Sequence, residues 1–385
     1  MNGGGGNLFA LKGQAVGIVG RVGTHQDQLE RWMTRFAERG IRSVVQLGNW
    51  QMGWAESAAK PAFVDLDETL RRNGQTLFMV DGSHDDLRLL HLPLDREGTA
   101  PLAARIRYLG RGCRGVFDSG AQWAAMGGGA TIGVAPDGRF DVQVTDRARR
   151  SPDEVISPAD VAALGDAQVS VLFAHDAPSG VPALREFFRT ALHSKLFTFE
   201  ERLYDLKARG AFTKAFHLVR PTIHFGAHFP MYTNQVVGFD DGQGLGYACR
   251  IVLLDSVTTS LPCAAILDVD TLGVTVLNHE GEEVQSEPQV LDLTTQTAGQ
   301  WQVHTRDSTH IFDLDRRRWL RIPGPHALDW HRATQPLRSI TACKVGERGH
   351  WTMRSEEFLI EYYWCDSSVI RYIEPFDGEW PGMDA

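Results

Sequence analysis

Histidine and aspartate side chains, which proteins use for proton transfer and for binding ions, follow several short apolar runs of this chain. The clearest case is Val169–Pro182 (VSVLFAHDAPSGVP), where an apolar run ends in His175 and Asp176 and turn-forming residues follow. Such a run is typical of a buried strand. Ligands of open α/β sheets bind beyond the carboxyl ends of the strands. We therefore expect His175 and Asp176 at the rim of a cleft.

Four other turns of similar composition follow predicted strands, and they read GRVG, GNW, GSHD and GAHF. They are Gly20–Gly23, Gly48–Trp50, Gly82–Asp85 and Gly226–Phe229. Because the ends of neighbouring parallel strands meet at one edge of a sheet, the sequence predicts that all five turns converge on one site. The predicted catalytic residues are His84, His175 and Arg21. The predicted ligand-binding residues are Asn49, Ser83, Asp85, Asp176 and His228.

The segments between these turns predict a parallel α/β sheet in the first part of the chain. Strands are expected at Ala15–Val19, Ser43–Leu47 and Thr76–Val80, and amphipathic helices at Gln26–Arg39 and Pro61–Asn73. Alternation of strands and helices at this spacing is typical of a parallel sheet.

Later segments continue this pattern and then depart from it. Ser157 and Pro158 are suited to the N-cap and first position of a helix that ends at Leu164. One long helical stretch is expected from Pro182 to about Arg209. Beyond about residue 274, helical periodicity gives way to short alternating strands with frequent turns. The predicted organisation is a flexible tip (1–13), an α/β domain (14–275), a small all-β domain (280–375) and a tail (376–385).

Composition excludes several classes of protein. The net charge is −9 and the basic residues are dispersed, which argues against nucleic-acid binding. No run approaches the roughly 18 apolar residues of a membrane span, and the N-terminus lacks the pattern of a signal peptide. The five cysteines are scattered without a C-x-x-C pair, which favours a reducing compartment. We expect a cytoplasmic protein with no nucleic-acid or membrane partner.

The order of the five turns resembles that of the calcineurin-like metallophosphoesterases, whose loops read G-D-x-H, G-D, G-N-H-[DE], a lone His, and G-H-x-H. The resemblance covers about residues 14–270, and connecting segments such as RIRYLGRG and QWAAMGGGAT are similar to those of actinobacterial and phage-type members. It implies an α+β sandwich of mixed sheets flanked by helices. In that family the loops hold two divalent ions of Mn, Fe or Zn, which polarise a phosphoester and generate a bound hydroxide.

Most ligand positions of that family carry other residues here. His84 and His175 are retained, and His228 lies between the two last ligand positions. The replaced positions hold Arg21, Gly23, Asn49, Ser83, Ala227 and Phe229. Arg21 would bring a cation to the place of the first metal's carboxylate, and two like charges at about 4 Å repel by about 4 kcal/mol at an effective dielectric near 20. We therefore expect no dinuclear centre and no cofactor.

Three functions follow from this pattern. The first is a pseudo-phosphoesterase that acts by binding or scaffolding. The second is an enzyme with metal-independent chemistry on an anionic small molecule, with His84 and His175 as acid and base and the Arg21 guanidinium as a clamp. The third is an active metal-dependent phosphodiesterase, a hydrolase whose ligands stand elsewhere in the sequence. The expected partners are an anionic small molecule and a protein partner of the C-terminal β domain. The sequence specifies no substrate or oligomeric state.

Overall fold

The computed structural model describes residues 9–50, 61–130, 152–193, 199–242, 244–286, 288–324, 327, 333–355, 357 and 359–380. The chain divides into two compact units. The first unit comprises Met1–Asn234 and Ile251–Ser286, and the second comprises Gln235–Arg250 and Glu287–Ala385. The sequence prediction placed Gln235–Arg250 in the α/β domain, whereas the structure assigns this segment to the second unit. No helix in the described ranges is long and apolar enough to cross a membrane.

Fifteen strands and five α-helices precede the C-terminal segment of the second unit in the described ranges. The strands are β1 (Phe9–Leu11), β2 (Ala15–Val19), β3 (Ser43–Gln46), β4 (Thr76–Met79), β5 (Thr99–Pro101), β6 (Ile106–Leu109), β7 (Arg114–Phe117), β8 (Gln122–Met126), β9 (Val171–Ala174), β10 (Ile223–Gly226), β11 (Thr233–Asp240), β12 (Gly246–Leu253), β13 (Ala264–Asp268), β14 (Val274–Leu277) and β15 (Glu283–Val284). The helices are α1 (Gln26–Glu38), α2 (Pro61–Asn73), α3 (Pro158–Leu164), α4 (Pro182–His193) and α5 (Phe199–Val219).

These strands form two mixed sheets, which confirms the predicted α/β class with mixed sheets. One sheet has eight strands in the order β15-β14-β13-β2-β3-β4-β6-β5. Its centre, β2-β3-β4-β6, is parallel, and both edges are antiparallel. The other sheet has seven strands in the order β1-β7-β8-β9-β10-β12-β11. Because parallel strands need long crossovers, the helices connect them and cover the outer faces.

The central strands of the eight-stranded sheet pack apolar side chains on both faces. Val45 and Phe78 belong to a core cluster that also contains Phe173 and Phe225 of the other sheet, so the two sheets pack face to face. Their neighbours Val44 and Leu77 belong to a second cluster, with side chains of α1 and α2. Successive strand residues point to opposite faces, so these strands are apolar throughout rather than alternating with polar residues.

The seven-stranded sheet is covered by α5 on its outer face. His224 of β10 packs against Phe212 and Phe216 of α5, at ring-centroid distances of 5.5 and 5.8 Å. On the inner face Phe225 stacks on Phe173 at 5.9 Å. Alternate residues of β10 thus face the helix layer and the core between the sheets.

The structure confirms one local feature that the sequence predicts and differs from the prediction at others. The cap of α3 is confirmed, because Ser157 accepts from the Asp160 N–H while the Asp160 carboxylate accepts from the Ser157 N–H. The helical stretch predicted from Pro182 to about Arg209 contains two helices in the described ranges, α4 and α5, and α5 continues to Val219. β1 lies in the segment predicted as a flexible tip, where pairing with β7 orders it. Residues 1–8 and 381–385 of the predicted tip and tail lie outside the described residues.

The C-terminal part of the second unit is a closed antiparallel barrel of six strands in sequential order. Its core contains the buried indoles of Trp319 and Trp351. Pairing of the first strand with the last closes the barrel, so that neither keeps an unpaired edge. Its strands are β16 (Gln300–Thr305), β17 (Ser308–Asp313), β18 (Arg318–Pro323), β19 (Gln335–Ala342), β20 (Arg348–Arg354) and β21 (Tyr362–Pro375).

Candidate functional site

Arg21, just beyond β2, forms a buried ion pair with Asp255. The Arg21 Nη2 atom donates to Asp255 Oδ1 over 2.8 Å, and the two side chains are only 8% and 2% exposed. Asp255 follows β12, and its carboxylate also accepts from the Ser256 N–H at 2.7 Å and from the Thr259 hydroxyl at 3.1 Å. Desolvation lowers the pKa of Arg21, and the charge of Asp255 opposes that shift. The guanidinium is therefore held as a salt bridge and does not face solvent.

Asp255 was absent from the predicted site. The signal for it was present, since it follows the apolar run IVLL just as His175 follows VLFA. The pairing with Arg21 could not be inferred, because 234 positions separate the two residues.

Asn49, predicted to bind ligand, connects three of the turns through its own polar groups. It adopts a left-handed backbone conformation, with φ of 56°, which Asn tolerates better than most residues. Its side-chain oxygen accepts from the His84 N–H at 2.8 Å, and its carbonyl accepts from the Gly23 N–H at 2.7 Å. Its own N–H donates to Asp85 Oδ2 at 2.8 Å. The structure gives Asn49 a positioning role.

Asp85 holds the turns after β3 and β4 together. Its Oδ2 atom accepts from the N–H groups of Gly82 and Asn49, both at 2.8 Å. Burial raises the pKa of this carboxyl to about 7, although the backbone donors act in the opposite direction. Ser83, in the same turn, is buried as well. Asp85 therefore sits inside the site wall with its protonation poised near neutral pH.

Two glycines allow these turns to approach His175. A Cβ at Gly48, whose φ is 85°, would lie 2.8 Å from both Gly82 N and His175 Nδ1. A Cβ at Gly82 would lie 2.4 Å from Asn49 N and 2.9 Å from His175 Cε1. Real Cβ atoms do not come so close, so the site requires glycine at both positions.

His175 follows β9 and is fully buried. Its Nδ1 atom lies 2.7 Å from the carbonyl oxygen of Leu47, so Nδ1 carries the proton and donates it. Nε2 then presents a lone pair, and it has no hydrogen-bond partner among the described residues. Burial, followed by the charge of His228, lowers the pKa of His175 well below its usual range. This imidazole is neutral and is fixed in one tautomer.

His228 packs beside His175, with ring centroids 4.9 Å apart. Its Nδ1 atom lies 3.1 Å from Asp176 Oδ1, an arrangement in which a carboxylate orients an imidazole. The backbone N–H groups of Ala227 and His228 both donate to the His175 carbonyl at 2.9 Å. The predicted neighbours His175, Asp176 and His228 are thus in contact.

His84 is half-buried at the same place. Burial lowers its pKa to about 4, and the charges of His228 and Arg21 act in the same direction. The pKa of His175 responds to His228, Arg21 and His84 as well. The structure therefore brings Arg21, His84, His175 and His228 into one electrostatically coupled group, as the strand-end argument expected.

Two further networks support this group, and the sequence prediction included neither. Asp81, at the end of β4, accepts from Tyr108 Oη at 2.8 Å and from Arg111 Nη2 at 2.7 Å. On the other side, Arg209 of α5 pairs with Asp205 at 2.7 Å, and its guanidinium lies 4.3 Å from the centre of the Phe188 ring. Both networks are buried, so they support these turns from within the fold.

The side chains at this place do not suit a dinuclear metal centre. Arg21 brings a cation that is already paired, and Ala227 and Phe229 are buried apolar groups. Phe229 packs edge-on against Phe188 at 5.5 Å. In the described part of the chain no group of three or more His, Cys, Asp or Glu side chains is arranged to hold a metal ion.

No family model and no curated protein matches the sequence. Among solved structures, the chain is similar to protein TT1561 of Thermus thermophilus, with 12% identity and a TM-score of 0.36 over 69% of this chain and 99% of the other. It is also similar to a dimetal phosphatase from Danio rerio, with 10% identity and a TM-score of 0.34 over 80% and 98%.

Proposed function

We propose that the first unit is a metallophosphoesterase-like domain that has lost its metal centre and acts as a binding or scaffolding module, a pseudo-phosphoesterase. Two mixed sheets packed face to face, flanked by helices, are the architecture that the turn motifs imply. The family assignment rests on the order of the turn motifs.

The buried Arg21–Asp255 pair is the observation that carries this proposal. Arg21 stands where the family places a carboxylate ligand of the first metal, and Asp255 compensates its charge. Removing one partner of a buried pair is strongly destabilising, by about 3–5 kcal/mol. The pair is therefore expected to stay in place when a ligand binds.

The electrostatics of the site also favour binding over phosphoryl transfer. Metal-dependent phosphoester hydrolysis uses two divalent cations to stabilise developing negative charge. Here the Arg21 guanidinium is neutralised by Asp255, and burial keeps His84 and His175 uncharged. The proposed ligand is a small molecule of little or no net charge.

The second candidate is a metal-independent enzyme, and one observation favours it. The Nε2 lone pair of His175 has no partner in the described ranges, and the Leu47 carbonyl fixes the tautomer. A neutral imidazole of that kind can serve as a general base. Asp176 orients His228 beside it, so a second imidazole is available for proton transfer.

Metal analysis of protein purified without chelator, read beside a hydrolysis assay, tests the proposal. The expected metal content is well under one equivalent of Mn, Fe, Zn or Ni. We expect no hydrolysis of p-nitrophenyl phosphate or bis(p-nitrophenyl) phosphate above background, with or without added Mn²⁺. The matched variants are His175→Asn in the site and His279→Asn, an exposed histidine outside it.

The outcomes separate the three functions. Two equivalents of metal, with hydrolysis that His175→Asn abolishes and His279→Asn preserves, would establish a phosphodiesterase and overturn the proposal. Turnover that resists EDTA but is lost in both His84→Asn and His175→Asn would establish the metal-independent enzyme. Absence of metal and of turnover in a folded protein supports the binding module.

A further inference from the structure

A cavity of about 400 Å³ lies in the second unit, beside the turn that joins β16 to β17. Its walls come from that turn and from β17, β18 and β21. Small-molecule sites typically enclose about 300–1,000 Å³, so the volume suits a small ligand. All residues that line this cavity belong to the second unit, and the predicted site residues all belong to the first.

One wall of the cavity is an exposed indole. Trp364 of β21 is 63% exposed, whereas Trp319 and Trp351 of the same barrel are fully buried. Residues of β21 alternate between outward and inward positions at this point, so Trp364 faces away from the barrel core. A large aromatic surface in a cavity wall is informative because it is available to stack on a ligand.

Polar groups around this indole are held in place by each other. Arg321 Nε donates to the Ser308 hydroxyl at 3.0 Å. The Thr305 hydroxyl donates to the Ser308 carbonyl at 2.8 Å and accepts from the Ser308 N–H at 3.1 Å. The cavity therefore offers donors and acceptors whose positions are fixed before a ligand arrives.

The carboxylates in the lining already have hydrogen-bond partners. Asp307 Oδ1 accepts from Arg306 Nε at 3.1 Å, and Asp366 Oδ1 lies 2.5 Å from His350 Nδ1. The cavity thus has hydrogen-bonding groups of both kinds without a large charge of one sign.

A β-bulge shapes the wall that carries Trp364. The register of β20 and β21 shifts so that Ser367 and Ser368 together oppose Gly349. The Gly349 N–H donates to the Ser367 hydroxyl at 2.9 Å, and a Cβ at Gly349 would lie 2.9 Å from the same oxygen. Bulges are frequent beside binding sites because they redirect side chains, and this one adds two serines to the cavity.

His310 forms a deeper part of the lining. It is 2% exposed, and its Nδ1 atom has no hydrogen-bond partner among the described residues. Its ring stacks on Trp319 at 5.8 Å and meets Trp351 edge-on at 4.7 Å, which fixes its orientation. Burial lowers its pKa to about 3, so the imidazole is neutral.

We propose that this cavity binds an uncharged carbohydrate of one or two rings, with a sugar face on Trp364 and the hydroxyls on the surrounding polar groups. A sugar ring combines an apolar C–H face with a rim of hydroxyls that both donate and accept. The cavity has the matching features, namely one open aromatic face, hydroxyls, a guanidinium and hydrogen-bonded carboxylates. An anionic ligand would face Asp307 and Asp366, so the charge pattern favours a neutral one.

The test is saturation-transfer NMR on the full chain with a panel of glucose, galactose, mannose, N-acetylglucosamine, lactose and cellobiose, with benzoate as an anionic aromatic probe. We expect transfer to the C–H protons of one face of at least one sugar. Trp364→Ala and Arg321→Gln should each weaken that binding by about tenfold or more. The control is Tyr362→Ala, an exposed aromatic residue of the same strand that does not line the cavity, and it should leave binding unchanged.

A second measurement needs no substitution. Because Trp364 is exposed, it should oxidise readily in the free protein, and the bound sugar should protect it, as read by peptide mass spectrometry. The proposal is overturned if no sugar binds the folded protein, if binding survives in both Trp364→Ala and Arg321→Gln, or if benzoate alone binds. It is independent of the function proposed for the first unit.

Discussion

The guanidinium of Arg21 and the carboxylate of Asp255 meet at 2.8 Å, although 234 positions separate them in the sequence. Arg21 follows β2 and Asp255 follows β12, so the pair connects the ends of strands from both sheets. The backbone adds a second connection, since the Val257 N–H donates to the Arg21 carbonyl at 2.9 Å. A charge that would repel a metal ion is thereby part of the fold.

Removal of Asp255 should therefore destabilise the first unit. Asp255→Ala leaves Arg21 buried without its carboxylate, and we expect the free energy of unfolding to fall by about 3–5 kcal/mol. The double variant Arg21→Met/Asp255→Leu removes both charges and should recover most of that loss. Urea denaturation measures both variants.

The control for that experiment is an exposed ion pair in the same unit. Arg189 and Glu186 are 61% and 60% exposed, and Glu186→Gln should change stability by less than about 1 kcal/mol. An Asp255→Ala effect no larger than that of Glu186→Gln would show that the buried pair contributes little to the fold.

Asp85 should make stability depend on pH in the direction opposite to most carboxylates. Its pKa is raised to about 7 in the folded protein, above the usual value of 3.8. The folded state therefore holds the proton more tightly, and stability falls as pH rises from about 4 to about 7. The full effect corresponds to about 4 kcal/mol, at 1.36 kcal/mol for each pKa unit.

Asp85→Asn removes this titration, and the comparison with the native protein isolates it. The variant should gain relative stability as the pH rises from 4 to 7, with little further change above that. Asp27→Asn, on the exposed face of α1, should show no such trend. A constant difference between Asp85→Asn and the native protein across this range would contradict the raised pKa.

The buried histidines should make the first unit sensitive to acid. Burial lowers the pKa of His224 to about 3 and that of His84 to about 4, below the unfolded value of 6.5. Below about pH 6.5 the unfolded chain binds more protons than the folded protein does. Stability is therefore lost as the pH falls below that value. Each such group contributes a slope of about 1.4 kcal/mol for each pH unit.

His224→Phe tests this acid sensitivity. The new ring should fit, because His224 already packs between the rings of Phe212 and Phe216. The slope of stability against pH between 6.5 and 4 should decrease by about 1.4 kcal/mol for each pH unit, which is the contribution of one proton. His279→Gln, at an exposed position, should leave the slope unchanged. Equal slopes in His224→Phe and the native protein would mean that His224 takes up its proton while folded.

Local pattern predicted the elements of the first unit closely. β2 and α2 match their predicted bounds, because the apolar periodicity and flanking turn residues that define them are local. The convergence of Arg21, His84 and His175 also followed, since it needs only the rule that parallel strands end on one edge.

Features that depend on distant contacts could not be predicted. Asp255 as the partner of Arg21, and Asp81 as the partner of Arg111, require knowledge of which strand ends become neighbours. Closure of the barrel depends on the pairing of β16 with β21, whose paired residues Trp301 and Pro375 are far apart in sequence.

A substitution at Gly82 measures the effect of close packing without a contribution from backbone strain. Its backbone φ is not in the left-handed region, so Gly82→Ala changes only the space around it. The added Cβ would lie 2.4 Å from Asn49 N and 2.9 Å from His175 Cε1, so the turn after β4 must move away from the turn after β3. We expect a loss of about 1–3 kcal/mol or more in unfolding free energy and a shift of the His175 imidazole resonances. Gly210→Ala in α5 is the matched control, because a Cβ there meets nothing within 4 Å and should stabilise the helix by up to about 1 kcal/mol. If Gly82→Ala keeps both native stability and the native His175 resonances while Gly210→Ala behaves as expected, the close approach of these two turns is not needed to build the site.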